Sequence, residues 1–372
     1  MFCANFNFQT RPSANEERKA YMTMFNHPLY KQDLQQISNY IPDITTVKNV
    51  LVTGATGLIG SLVVDAFLYK NHGTQIPYKV YGLGRSLDRL KRRFNYAISD
   101  KNICLFEHDI TKPLDCPVDF DFIIHAASNA DPKSYAGLPA ETITTNIVGT
   151  YNILEYAKMH NQVKIIFTST MEVYGAMPSG TIIKESEYGQ IDFNQIRSGY
   201  PESKRVSELL CRSYSLEYNI RSIIARLGYI YGPSMTQYDS KAAAQFINNA
   251  VDGMDIILKS PGVQKRSYCY SADAVSGILN LLFKGQIGEA YNIANSASVI
   301  TIAELAESVA KIAGTQVVYS NPEAMEKQGY SKPNDAVLDE GKLGSTGWIP
   351  QYTIKEGMNR TIKILKDINN IE

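Results

Sequence analysis

Between a short apolar run and a longer one lies GATGLIG, in which Gly54, Gly57 and Gly60 recur at every third position. No other stretch restricts the fold as much. The preceding Val50–Val52 reads as a buried strand, and the following LIGSLVVDAFLY reads as a helix running to about Tyr69. A glycine turn at that junction lets the backbone bend tightly and come close to a pyrophosphate. The helix start adds unpaired N–H groups and the positive end of the helix dipole. The spacing therefore predicts a dinucleotide site in the first strand–helix unit.

Further strands are expected at YKVYGLGRS, NICLFEHDI, FDFIIHAAS, VKIIFTSTMEVYG and IRSIIARLGYIYG, with ETITTNIVGTYNILEYAKMH and PESKRVSELLCRSYSLEY as helices among them. Such alternation predicts an α/β chain with a doubly wound parallel sheet covered on both faces. Runs that are apolar throughout, such as KIIF, fit burial on both sides. The alternation breaks up after Pro233. Three parts are expected: residues 1–46 as an N-terminal extension, 47–233 as the dinucleotide-binding domain with a returning segment near 266–284, and 234–372 as mainly a smaller, discontinuous substrate domain. In the extension, PLYKQDLQQISNYI fits a short amphipathic helix with Leu29, Leu34, Ile37 and Ile41 on one side. TIAELAESVAKIAG fits another, capped by Thr301 and stopped by Gly314.

Composition removes several classes of function. Lys plus Arg and Asp plus Glu both number 37, so no net field draws the chain to nucleic acid or a membrane surface. The five cysteines, at 3, 104, 116, 211 and 269, are scattered and form no CxxC, which argues against a metal site or a disulfide framework and for a reducing compartment. No apolar run approaches the ~18 residues of a membrane span, and the N-terminus lacks a basic region followed by an apolar stretch. The expected address is cytoplasmic. His125, at a strand end, reads as a packing residue.

The glycine turn is not isolated. HAAS (125–128), TNIVGT (145–150), FTSTMEVYG (167–175) and YPESK (200–204) follow in order, and RLGYIYGP, KRSYCYSADAVSGI, GEAYNIAN and GWIP continue the pattern to about residue 350. Together with VLVTGATGLIGSLV, these segments resemble the extended short-chain dehydrogenase/reductase family, the nucleotide-sugar epimerases and dehydratases. The resemblance implies a Rossmann-type fold. It implies that Gly54, Thr56, Gly57, Leu58, Ile59 and Gly60 cradle the dinucleotide, that Asp109 and Ile110 contact adenine, and that Ala126, Ala127, Ser128 and Asn146 lie against the cofactor. Gly84 stands where that family usually has Asp at the end of the second strand, and Arg85 follows it. An arginine fork suits a 2′-phosphate, so NAD and NADP both stay open.

The same resemblance makes Tyr200 a base, activated by the Lys204 ammonium one helical turn away and by the nicotinamide's charge. Lys204 would also hold the nicotinamide ribose, and Thr170 would orient the reacting hydroxyl. Pro201 is tolerated because the first turn of a helix has no partners for its N–H groups. Glu172 is the next acid/base candidate; two residues beyond Thr170, a strand would place it on the same face. Met171 separates the two and has no proton to give a leaving hydroxyl. On the substrate side the resemblance implies Arg266 at the nucleotide diphosphate, and Tyr229 in place of a commonly found Asn. The function expected is NAD(P)-dependent modification of a nucleotide-diphosphate sugar through transient C4 oxidation, by epimerisation or decarboxylation. A 4,6-dehydratase, an NADP-dependent carbonyl reductase and a non-catalytic dinucleotide sensor stay open as alternatives. A homodimer through the helices near 148–160 and from 201 is implied by the resemblance.

Overall fold

The computed structural model describes residues 13–160, 162–236, 239–320 and 335–370. Its centre is a seven-stranded parallel sheet. The strands are β1 (Lys48–Thr53), β2 (Tyr78–Gly84), β3 (Ile103–Glu107), β4 (Phe122–His125), β5 (Lys164–Thr170), β6 (Arg221–Leu227) and β7 (Ala290–Ile293), in the spatial order 7-6-5-4-1-2-3. Strand order reverses at β1, so a crevice opens beside its carboxyl end, where the glycine turn begins.

The helices are α1 (Ala14–Asn26), α2 (Pro28–Ser38), α3 (Leu58–Asn71), α4 (Pro139–Met159), α5 (Gly199–Tyr218), α6 (Ala242–Val251), α7 (Ser271–Lys284), α8 (Ile302–Ala313) and α9 (Ile354–Asn369), with shorter turns between. Val50 and Val52 of β1 point to one face, with α3 and α7; Leu51 points to the other, with residues of α4 and α5. Because both faces are covered, runs of successive residues are buried in β1, β4, β5, β6 and β7, which is why these strands read as apolar runs, while the edge strand β3 is only half-buried.

Two expectations change. The strand expected from IRSIIARLGYIYG is two strands: β6 ends at Leu227, and Tyr229–Tyr231 pairs instead with Lys265–Tyr270 in a separate three-stranded sheet. Gly228 makes the break; a Cβ there would lie 2.9 Å from the Ser267 carbonyl oxygen. GEAYNIAN, expected outside the central sheet, supplies β7, which pairs with β6. One buried cluster runs from β1 and α3 through α6 and α8 to Met358 and Ile362 of α9, so the C-terminal elements and the sheet share a core. Thr301 and Gly314 bound α8 as expected, with a capping box at the start and a left-handed residue at the end.

The N-terminal extension is built into this core. Leu34, Ile37 and Ile41 are buried as expected. Two buried carboxylates secure α2 and its neighbour. Tyr30 Oη donates to Asp65 Oδ2 of α3 at 2.5 Å, and Asp65 also binds Arg93 at 2.6 Å. Asp33 receives Tyr270 Oη at 2.6 Å and Arg360 Nη2 at 2.7 Å. Burial raises the Asp33 carboxyl above its ordinary range, and Arg360 pulls against that shift. Removing Asp33 strands a largely buried guanidinium. Asp33→Ala is therefore expected to lower the unfolding free energy by about 3–5 kcal/mol, measured as a reduced urea midpoint at unchanged slope; a loss near zero would show that α2 does not depend on this pair.

Candidate active site

The first wall of the site is the glycine turn. Gly54 has φ +66°, a conformation that favours glycine, and a Cβ there would lie 2.7 Å from the Ala126 carbonyl oxygen. Gly60 has no room for a Cβ against the Gly54 carbonyl. Gly57 is the N-cap of α3 and offers no side-chain cap, so the first N–H groups at Leu58, Ile59 and Gly60 keep donors for a ligand. Thr56 and Leu58 flank the turn, half-buried. A bare helix start beside a cradle that only glycine can form fits a dinucleotide pyrophosphate.

The second wall is the end of β4. Thr53 Oγ1 accepts from the backbone N–H groups of Ala126 and Ala127, both at 3.2 Å, which draws that strand end against β1. His125 is the packing residue expected: it is buried between Thr53 Oγ1 at 2.8 Å and Thr150 Oγ1 at 3.3 Å, and burial pushes its pKa down to about 3. Ser128 donates to Asn146 Oδ1, and Asn146 Nδ2 donates to Ser203 of α5. Asn146 thus braces the wall to α5. Ile110 is buried against Gly149, with its carbonyl taken by Asn152 Nδ2. Asp109 is exposed, and hydrogen bonds from Thr111 hold its carboxyl below the usual range. Arg85 is ion-paired to Glu141 at 2.5 Å. Among the described residues no group of three metal-ligating side chains occurs.

The segment after β5 departs from the strand geometry expected. β5 ends at Thr170, and Met171–Tyr174 forms a 3₁₀ turn. Thr170 Oγ1 caps it by accepting from Glu172 N at 3.3 Å. Glu172 reaches the site through this turn rather than through strand alternation, while Met171 is buried. Glu172 Oε1 accepts from Arg197 Nη2 at 3.2 Å; Oε2 lies 3.1 Å from the same nitrogen but has no hydrogen bond of its own. Arg197 also donates to Tyr135 Oη at 3.3 Å, and the Tyr135 ring stacks on Tyr200 with centroids 4.9 Å apart.

Tyr200 and Lys204 both lie buried on α5, but the lysine does not point at the phenol. Lys204 Nζ donates to the Thr168 carbonyl at 2.8 Å and sits over the Phe167 ring. Tyr200 is hydrogen-bonded to Thr170. Burial and the Glu172 charge raise the phenol's pKa well above its ordinary value, while Thr170 and Arg197 lower it. In the protein alone burial keeps the phenol protonated, and Lys204 is held by the Thr168 carbonyl rather than by Tyr200. Burial pulls Lys204 down to about 8. An ammonium with one modest partner and a protonated phenol both suit the arrival of a ribose hydroxyl and a cationic ring.

Beyond Glu172 lies a cavity of about 130 Å³ lined by Glu172, Arg197, Tyr229 and Arg266 among others. The fold therefore unites the sequence-predicted Thr170, Glu172, Tyr200, Tyr229 and Arg266 on one side of the crevice. Arg266 is buried, with its guanidinium over the Tyr229 ring. Sequence reasoning missed Arg197 and Tyr135. Arg197, three residues before Tyr200, was open to notice as a cation beside the YPESK motif; Tyr135, in DPKSYAGLP, carries no local signal.

Comparisons with known proteins agree with this geometry. The sequence profile described as "NAD dependent epimerase/dehydratase family" matches residues 50–294. UDP-glucuronic acid decarboxylase 6 of Arabidopsis thaliana is 35% identical over 313 residues, covering 83% of this chain and 86% of that one. UDP-glucuronic acid decarboxylase 1 of Danio rerio is 30% identical over 318 residues, covering 85% and 72%. Among solved structures, dTDP-glucose 4,6-dehydratase of Bacillus anthracis in complex with NAD superposes with a TM-score of 0.73 at 22% identity, over 86% of this chain and 97% of that one. UDP-glucuronic acid 4-epimerase of Bacillus cereus with UDP-glucuronic acid and NAD gives 0.72 at 23%, over 86% and 99%. At such identities these two show the fold alone.

Lys204 yields a stability test. Its folded pKa of about 8 lies below the ordinary 10.5, so the cost of burying the ammonium is full below pH 8 and is relieved as pH rises toward 10.5. Lys204→Met is expected to be more stable than wild type at pH 7 by on the order of 1–3 kcal/mol, with the gap narrowing through that window in urea titrations, while turnover is lost.

Proposed function

The chain belongs to the NAD dependent epimerase/dehydratase family, and from that premise we propose that it decarboxylates a nucleoside-diphosphate uronic acid, UDP-glucuronic acid foremost. The observation that carries this reading is the Glu172–Arg197 pair, set with Arg266 around one cavity beside Tyr200 and Thr170. The curated relatives above bear the name of that activity.

A bound nicotinamide would supply a hydride acceptor for C4 of the sugar and, in its reduced form, the donor that restores it. Tyr200 takes the C4 hydroxyl proton while Thr170 holds that oxygen. The resulting 4-keto group stands β to the C5 carboxylate, so the C5–carboxylate bond breaks with its electron pair delocalised into the carbonyl, and carbon dioxide leaves. Arg197 and Arg266 bind the anionic groups of the substrate, and Glu172 relays a proton from solvent to C5, where it takes the place of the carboxylate. Tyr200 gives its proton back to the C4 oxygen as the ketone is reduced. Lys204 would hold the nicotinamide ribose; its buried charge, with the ring's own, would favour the phenolate that burial opposes. Met171 between Thr170 and Glu172 leaves no second acid for expelling a hydroxyl, which disfavours the 4,6-dehydratase alternative.

The partner chain we propose is a second copy. α4 and α5 pack side by side, and their outward faces expose Met159 (71%), Leu209 (61%) and Leu216 (85%). Exposed apolar side chains on two adjacent helices suit burial against a second copy. We also propose a cytoplasmic setting: among the described residues Cys104, Cys116, Cys211 and Cys269 are free thiols, and no helix is long and apolar enough to cross a membrane.

Incubation with UDP-glucuronic acid and mass analysis tests the reaction. Loss of carbon dioxide supports it; an unchanged mass with inverted C4 would indicate epimerisation, and loss of water a dehydratase. Tyr200→Phe is expected to lower kcat by about 10²–10⁴-fold. Leu209→Asp combined with Leu216→Asp is expected to yield monomers in sedimentation velocity.

A further inference from the structure

The Arg85–Glu141 pair has no part in the chemistry above. Arg85 directly follows β2, at the strand end that contacts the adenosine ribose in a doubly wound fold. Glu141 lies in the first turn of α4, reached from the end of β4. In the sheet β1 stands between β4 and β2, so the link between them arches over the carboxyl end of β1, where the glycine turn starts. Both side chains are well exposed, 62% and 42%. An exposed pair contributes little to stability, which leaves its charge arrangement as its consequence.

A carboxylate at the end of β2 accepts the ribose hydroxyls and repels a 2′-phosphate, whereas an arginine there welcomes one. Gly84 leaves this strand end without a carboxylate, and Arg85 alone would select the phosphate. Glu141 reverses that. Its Oε1 accepts from Arg85 Nη1 at 2.5 Å and from Asn129 Nδ2 at 3.4 Å. Asp109 adds a second anion close enough to influence both members of the pair.

We propose that Glu141 is a specificity-determining residue: carried across the crevice from α4, it pairs with Arg85 through one Nη1–Oε1 contact and supplies the missing carboxylate at the end of β2, so that the site takes the unphosphorylated adenosine ribose of NAD and rejects the 2′-phosphate of NADP. This rests on the assignment of a nicotinamide dinucleotide to the crevice.

Calorimetric titration of the full chain, stripped of endogenous nucleotide, with NAD and NADP tests it, together with ADP-ribose and its 2′-phosphate as fragments that lack the reactive ring. Wild type is expected to favour NAD by about 100-fold, and Glu141→Gln to narrow that ratio by at least about tenfold, with NAD affinity retained as the sign of an intact fold. Adding Arg85→Ala to Glu141→Gln is expected to abolish the gain for the phosphorylated ligands. Equal binding of both dinucleotides by wild type, or an unchanged ratio in Glu141→Gln, would overturn the role of Glu141 alone. Wild type that binds neither dinucleotide would overturn it together with the assignment on which it rests.

Discussion

The buried carboxylate of Glu208 is the contact on which the arrangement of the candidate site depends. It accepts from Ser169 Oγ at 2.6 Å on β5 and from Arg226 Nη2 at 2.6 Å on β6. Arg226 continues to Tyr174 Oη, and Tyr174 to Asn292 on β7. One helical turn earlier, Lys204 binds the carbonyl of Thr168. Two polar contacts spaced four residues apart on α5 thus fix that helix against the end of β5, and the residue they jointly aim is Tyr200. A buried charge of this kind is costly without full pairing; here each carboxylate oxygen has partners, so the cost is offset and the geometry is specified.

The electrostatics of the site divide along the same line. On the substrate side, Glu172 opposes ionisation of Tyr200 while Arg197 and Thr170 favour it. On the cofactor side, Lys204 sits in an apolar setting that weakens its hold on a proton. Neither side alone yields a phenolate at neutral pH. In the proposed reaction a bound cationic ring would add the charge that favours the phenolate.

Much of this was legible in the chain. The glycine turn, the order of strands and helices to Leu227, and the nearness of Thr170, Tyr200 and Lys204 at the end of β5 followed from short-range patterns and the resemblance they supported, because turn chemistry and period are local properties. Glu172 was identified for a reason the fold replaced, since a 3₁₀ turn rather than a strand delivers it. Tyr135 and Glu141 were not legible: each reaches the crevice from the loop or helix after β4, and a lone Tyr or Glu there differs in nothing from a solvated one. The docking of α2 was half legible, its apolar face readable but not the surface it would meet.

The sequence by itself determined that a parallel, doubly covered sheet would carry a dinucleotide cradle at its first turn, because only glycine meets the backbone geometry and only apolar runs survive burial on two faces. The tertiary structure alone decided which charges face each other. Arg85 meets Glu141 across 56 positions of chain, and Asp33 meets Arg360 across 327. Electrostatic interaction depends on distance in space, and separation along the chain carries no information about that until the sheet has closed the loop.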